Sequence, residues 1–180
     1  LIVGETTCDG KKKMYEMLGE FKDVHCMELP NRQSLMGRKL WREEVVALKE
    51  KLEEKFGVEI TEEEVRKQVS INNKNRLALR HFYELMKLDP PPMAGLNLYS
   101  VLYDSSFKFN KEKIAPEVEA LTERIRKEYE EGKCEIKKRP RIMVTGCSIG
   151  GNAMKVVRAI EENGGNVVCF ENCGGAKSVD

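Results

Sequence analysis

The chain has 180 residues, enough for one ordinary domain or two small ones with a buried core. Its 31 basic and 30 acidic residues leave a net charge of +1 spread along the chain. No basic stripe that would bind nucleic acid and no patch that would bind a membrane stands out in the sequence. Because no apolar run reaches membrane-spanning length and no signal peptide opens the chain, the sequence predicts a cytoplasmic protein.

The first segment predicts a strand-helix-strand unit. Residues 1–8 have strand character, residues 11–21 form an amphipathic helix pattern, and VHCMELP predicts a second strand that ends at Pro30. The chain begins without methionine inside the apolar run LIVGE, as though a strand were already under way. We therefore expect it to be a piece of a longer protein.

The middle of the chain is predicted to be helical. Thr61 followed by Glu64 forms a capping box at a helix start, and Asn110 is a second capping residue. The DPPPM segment at 89–93 must interrupt the helical pattern, because proline lacks an amide hydrogen. The predicted helices cover about 35–57, 61–88, 94–104 and 110–131.

Strand character returns near the carboxyl terminus. PRIMVTG predicts a strand, NAMKVVRAIEENGG a helix with a glycine stop, and NVVCFEN another strand. The fold class is therefore α/β, with flavodoxin-like or Rossmann-like units at both ends and a helical middle. We predict the end of a first α/β domain at 1–34, a helical connector at 35–136, and the start of a second α/β domain at 137–180.

The six cysteines fall into groups by their context. Three follow short strand-like runs and lie near glycine. Open α/β sheets bind ligands at such strand ends, and helix N-termini there stabilise thiolates. Two lie within apolar runs and are predicted to be buried as small hydrophobes. The sixth, Cys134, is predicted to be exposed in a polar segment. The strand-end cysteines are Cys8, Cys147 and Cys173, and the apolar-run cysteines are Cys26 and Cys169.

Two other kinds of site remain open from the residues alone. TGCSIGG with Glu171 further on loosely imitates a dinucleotide fingerprint, although Ser148 replaces the second glycine. Cys8 could instead be a nucleophile with His25 or His81 as its base. A third alternative is that the strand-end cysteines lie in turns and bind no ligand.

The motifs carry a family resemblance. GETTCDGKKKMYE, VHCMELPN and RPRIMVTGCSIGGNAMKVVRAIEENGGNVVCFENCGGAKS resemble the 2-hydroxyacyl-CoA dehydratase D-component family, which includes benzoyl-CoA reductase subunits. Within that family the chain is most similar to the double-cubane cluster proteins. The resemblance covers essentially the whole chain, and members of the family are longer and carry further cysteines.

The resemblance implies the iron-sulfur component of an ATP-driven, low-potential reductase or dehydratase. Electrons would come from a separate ATP-hydrolysing iron-sulfur activator protein, and an acyl-CoA is a possible substrate. Cys8 matches the ligand of the family's TTCDG motif. The presence of Cys147 and Cys173 favours a double-cubane [8Fe-9S] cluster over a single [4Fe-4S] cluster. The other ligands would lie outside this chain. We therefore expect this chain to hold no cluster by itself.

Three further expectations concern assembly and catalysis. Exposed sheet edges favour a homodimer. The competing class of function is a nucleotide-binding or assembly module without catalysis. The sequence indicates no catalytic side chain and no particular substrate.

Overall fold

A computed structural model describes residues 1–146, 154–172 and 174–179. The fold is mixed α/β, with short parallel strands at both ends and helices between them, which confirms the predicted class. The chain divides into two compact units, Leu1–Val65 and Arg66–Asp180. The three-part division drawn from the sequence stays a prediction, since compactness within this chain does not test domain boundaries in a longer protein.

The helices and strands follow the predicted order. In chain order they are β1 (Ile2–Glu5), α1 (Asp9–Leu18), β2 (Val24–Met27), α2 (Leu35–Phe56), α3 (Glu62–Glu84), α4 (Gly95–Phe107), α5 (Ile114–Glu130), β3 (Arg141–Thr145), α6 (Met154–Glu162) and β4 (Asn166–Glu171). Short 3₁₀ helices lie at Leu85–Lys87, Lys111–Lys113 and Ala176–Ser178.

The first unit contains the parallel pair β1 and β2, joined by α1. Gly4 of β1 lies opposite Cys26 of β2 and beneath the ring of Tyr15. A Cβ atom at Gly4 would lie 2.4 Å from Tyr15 Cζ, so the close approach of α1 to the sheet requires glycine here. Among the described hydrophobic side chains of this unit, Met27 is the one in the buried class.

Local capping explains where the long helices begin and end. The Ser34 hydroxyl accepts the Gly37 amide hydrogen at 3.1 Å, and Gly57, which directly follows the last residue of α2, has a left-handed φ of 62°. The predicted capping box is confirmed: the Glu64 amide donates to Thr61 Oγ1 at 3.2 Å, and the Thr61 amide donates to Glu64 Oε2 at 3.5 Å.

The second unit holds the main hydrophobic core, and β4 lies within it. Val167 and Phe170 of β4 are fully buried. Helix α4 approaches β4 so closely that a Cβ atom at Gly95 would lie 2.4 Å from the Val167 carbonyl oxygen. The other fully or almost fully buried apolar side chains of this core are Ala78, Phe82, Leu85, Met86, Leu98 and Val157.

One helix ends earlier than its pattern predicts. The pattern continues to residue 88, but α3 ends at Glu84 and a 3₁₀ turn follows. The guanidinium group of Arg141 donates to the Met86 and Leu88 carbonyls at 2.6 and 2.8 Å. A side chain distant in sequence therefore satisfies two carbonyl groups that a helix could not, because the residues four positions further on are Pro90 and Pro92, which lack an amide hydrogen.

Candidate functional site

Cys8 lies at the corner between β1 and α1. It is the residue that precedes the first turn of α1, its backbone is extended with φ −140° and ψ 129°, and its side chain makes no capping hydrogen bond. The thiol is exposed and has no hydrogen-bond partner within the described ranges. The thiol is therefore accessible at the end of this strand.

Hydrogen bonds to β2 hold the backbone on the amino-terminal side of Cys8. The Thr6 amide donates to the Met27 carbonyl at 3.1 Å, and Thr6 Oγ1 accepts the Leu29 amide hydrogen at 2.9 Å. These bonds join the segment after β1 to the segment after β2. The thiol is consequently presented from a fixed strand end, although it is exposed.

The three lysines that follow Cys8 lie beside carboxylates. Lys11 lies 3.7 Å from Glu5, and the other two ion pairs join residues of α1 itself. Exposed pairs of this kind contribute at most about 1 kcal/mol each. The lysine charges are thus partly balanced on the surface of the first unit. The pairs within α1 are Lys12 with Asp9 at 3.1 Å and Lys13 with Glu16 at 2.7 Å.

The carboxyl ends of β3 and β4 lie side by side in the second unit. Thr145 is paired with Glu171 in the parallel register. The Thr145 hydroxyl donates to Glu171 Oε2 at 2.6 Å, and Lys177 Nζ lies 2.6 Å from Glu171 Oε1. The Lys177 ammonium and then the Thr145 hydroxyl hold the pKa of the Glu171 carboxyl below its usual range.

Two predicted ligands lie outside the described residues. Cys147 directly follows Gly146, the last described residue after β3, and Cys173 lies between Asn172 and Gly174. The parallel register of β3 and β4 brings the described positions next to both cysteines to the same edge of this sheet. Their role as ligands stays a prediction, as does the role of Cys8.

The other cysteines differ partly from their predictions. Cys26 was predicted to be buried, and this is wrong, because Cys26 is exposed in a sheet of two described strands. Cys169 is half-buried. Cys134 is also half-buried rather than exposed, and its thiol donates to the Pro91 carbonyl at 3.5 Å.

The geometry bears on both alternative sites. Each carboxylate oxygen of Glu171 already has one partner in this chain, Thr145 or Lys177. Gly150 and Gly151 of that fingerprint lie outside the described residues. His25 Nε2 is buried without a hydrogen-bond partner, so it makes no hydrogen bond to the Cys8 thiol.

Sequence analysis missed one residue at this end of the sheet. Asn172 directly follows β4, is 1% exposed, and carries a buried Nδ2 atom without a hydrogen-bond partner in the described part of the chain. A polar residue between a strand and a cysteine gives no signal of burial in the sequence. Only the packing of the second unit shows that this amide is isolated from water.

The described residues contain no group of three or more His, Cys, Asp or Glu side chains arranged to hold a metal ion. None of the helices in these ranges is both long and apolar enough to cross a membrane.

The fold and the strand-end thiol define an α/β protein with a candidate cofactor ligand at the carboxyl edge of a parallel sheet. The family model described as 2-hydroxyglutaryl-CoA dehydratase, D-component, matches residues 1–180, and the chain belongs to that family. The family predicted from the sequence motifs is confirmed.

The chain is also similar to YjiM of Escherichia coli (strain K12), which is named as a proposed dehydratase subunit. The two are 51% identical over 181 aligned residues, which cover 100% of this chain and 47% of YjiM. The chain thus spans about half the length of the curated relative that it matches.

Proposed function

We propose that this chain is part of the iron-sulfur component of an ATP-driven, low-potential dehydratase or reductase that resembles 2-hydroxyacyl-CoA dehydratase. Cys8, Cys147 and Cys173 are the proposed iron ligands, with further ligands supplied from outside these residues. The group is a double-cubane [8Fe-9S] cluster or a [4Fe-4S] cluster. When bound, it supplies low-potential electrons and an iron atom that acts as a Lewis acid.

The observation that carries the proposal is the position of Cys8 in a member of this family. A cluster ligand must be a thiolate that an incoming iron atom can reach. The Cys8 thiol is exposed, has no hydrogen-bond partner in the described residues, and lies at the end of a strand. The side chain present therefore fits one ligand position of such a group.

The start of α1 offers amide groups next to Cys8. The first amide groups of α1 lack partners within the helix, and their positive partial charge favours an anion at its start. The Lys12 amide donates to the Cys8 carbonyl at 3.0 Å, which starts the helical pattern directly at the cysteine. Thr6 holds the preceding backbone, so the residues of this chain orient the thiolate and offset its charge.

Iron analysis of matched cysteine variants tests the proposal. The full-length protein is reconstituted anaerobically, and iron and sulfide are counted per chain beside the visible absorption. Cys8→Ser should lower the iron content, and Cys26→Ser is the matched control because Cys26 is also exposed and lies in the same unit.

The iron count also distinguishes the cluster types. About eight irons per chain supports the double cubane, and about four supports a single cubane. A wild-type protein without iron, or equal iron loss in Cys26→Ser, would contradict the proposal. Tight binding of a nicotinamide dinucleotide without iron would favour the nucleotide-binding alternative instead.

The proposed partners follow from the same function. A separate ATP-hydrolysing iron-sulfur activator delivers the electrons, an acyl-CoA is the proposed substrate, and the complete protein is proposed to be a cytoplasmic homodimer. Trp41 and Phe56 of α2 are 44% and 60% exposed, which offers apolar surface for subunit contact. Reconstituted protein alone should show no turnover, and activator with ATP should restore it.

A further inference from the structure

A cavity of about 480 Å³ lies between the segment that follows β2 and the start of α2. Small-molecule sites have volumes of about 300–1,000 Å³, so this cavity is large enough to hold part of a ligand. Polar and charged side chains form much of its described lining, and all of them belong to the first unit. These side chains are Asn31, Arg32, Ser34, Lys39 and Glu43.

The cavity lies at the same edge of the first sheet as Cys8. Strands β1 and β2 are parallel, so their carboxyl ends lie side by side. Thr6, two residues before Cys8, binds the Met27 carbonyl and the Leu29 amide, and Asn31 of the cavity lies two residues after Leu29. Both features therefore belong to the edge at which open α/β sheets bind their ligands.

Close packing fixes the loop that carries Arg32. A Cβ atom at Gly37 of α2 would collide with the Arg32 carbonyl oxygen and would lie 3.2 Å from Pro30 Cβ, so glycine permits this contact. Ser34 Oγ accepts the Gly37 amide hydrogen at 3.1 Å, which leaves the hydroxyl hydrogen for another acceptor. One wall of the cavity is thus held by contacts within the first unit before any ligand binds.

The charges of the lining favour an anion. The Arg32 guanidinium forms no ion pair and no side-chain hydrogen bond with the described part of the chain. Lys39 lies 3.7 Å from Glu43 in an exposed pair, and exposed pairs are weak, so a ligand anion competes readily for the ammonium group. The first turn of α2 contains no acidic residue that would repel such an anion.

The donor types of the cavity suit phosphate. A guanidinium group binds two phosphate oxygens at once, and a lysine ammonium adds a point charge. The Ser34 hydroxyl and the Asn31 amide provide neutral donors beside them. In an acyl-CoA, the phosphate groups lie at the end of the molecule that is remote from the thioester. A phosphate site at the edge that presents Cys8 would hold such a substrate by its unreactive end.

We propose that Arg32 and Lys39 bind the phosphate groups of the acyl-CoA substrate. The inference rests on the proposed function, because the acyl-CoA is the substrate proposed there. The two side chains contact a part of the substrate that does not react, so they bind the ground state and the transition state equally. Their loss should therefore raise KM for the acyl-CoA and leave kcat unchanged.

Binding of CoA itself to the full-length protein tests the site without any need for turnover. Isothermal titration calorimetry gives Kd for CoA and for pantetheine, which lacks the phosphate groups. The variants are Arg32→Gln, Arg32→Lys and Lys39→Gln. Lys22→Gln is the matched control, because Lys22 is exposed in the same unit but lies just before β2, at the opposite edge of the sheet.

We expect Arg32→Gln to raise Kd for CoA about tenfold, through the loss of charge-assisted hydrogen bonds. Arg32→Lys should have a smaller effect, because lysine keeps the charge but not the planar pair of donors. Lys39→Gln should also weaken binding, whereas Lys22→Gln should bind CoA like the wild type. Added salt should weaken the binding of CoA and not that of pantetheine.

Four results would overturn the site. They are a wild type that does not bind CoA, unchanged binding in both Arg32→Gln and Lys39→Gln, an equal loss in Lys22→Gln, and pantetheine that binds as tightly as CoA. Cys8→Ser separates this inference from the proposed function, because it should lose iron and still bind CoA. A wild-type protein that holds no iron but binds CoA through Arg32 would refute the cluster and not the phosphate site.

Discussion

Replacing Gly175 with alanine should loosen the turn that follows β4. A Cβ atom at Gly175 would lie 2.1 Å from the Phe170 carbonyl oxygen and 2.6 Å from Phe170 Cβ. The nearest obstacle is backbone of a buried strand, so the turn itself has to move. Forcing an extra methyl group into a packed site costs about 1–3 kcal/mol. Alanine also lowers the conformational entropy of the unfolded chain, which offsets about 0.4–1 kcal/mol of that loss in stability.

The adjacent glycine is a matched control for this variant. At Gly174 the nearest atom to an added Cβ is Tyr99 Oη at 3.2 Å, which belongs to a side chain. We therefore expect a net loss of about 1–2 kcal/mol for Gly175→Ala and less than about 1 kcal/mol for Gly174→Ala. Both variants add one methyl group, so the difference between their free energies of unfolding measures the steric clash with β4.

Urea denaturation gives the free energy of unfolding of both variants. Hydrogen exchange at residues 166–179 then locates the loss, because faster exchange should be confined to this segment in Gly175→Ala. If Gly175→Ala is as stable as wild type, or if both variants lose the same free energy, the close approach of this turn to Phe170 is refuted.

Three further predictions test other contacts. Asn75→Ala should destabilise the second unit by about 2–4 kcal/mol in urea denaturation, because the Asn75 side chain pairs with the Lys111 carbonyl and the Ala115 amide at 2.9 and 3.0 Å; equal stability would contradict this. Glu171 has a lowered pKa in the folded protein, so its stabilisation is present above the unfolded carboxyl pKa and is lost as pH falls through the folded pKa. Lys177→Met should raise that pKa in an NMR titration, and an unchanged value would refute the ion pair. Thr61→Ala should cost about 0.5–2 kcal/mol and speed amide exchange in the first turn of α3, whereas unchanged exchange there would argue against the capping box.

The features that sequence analysis predicted correctly depend on residues close together in the chain. The capping box of Thr61 and Glu64 spans three positions, and Cys8 lies at a turn that its neighbouring strand and helix define. The strand-helix-strand units at both ends follow from apolar patterns of the same short range. Interactions of this kind depend only on residues that are near each other in the sequence, so they can be inferred before the fold is known.

The features that were missed depend on distant residues. The Met86 and Leu88 carbonyls after α3 are bound by Arg141, which lies more than fifty residues away in the chain. Cys26 was predicted to be buried because its neighbours are apolar, yet it is exposed. An apolar run indicates that a strand can be buried, but the elements packed over the sheet decide which of its side chains are covered.

The sequence alone determined the order of the elements, the α/β class, the family motifs and the place of Cys8 at a strand end. The tertiary structure alone decided that Asn166 has a partner for its amide whereas Asn172 has none. The physical reason is that local patterns set backbone conformation, while burial and hydrogen-bond satisfaction depend on groups that folding brings together from distant parts of the chain.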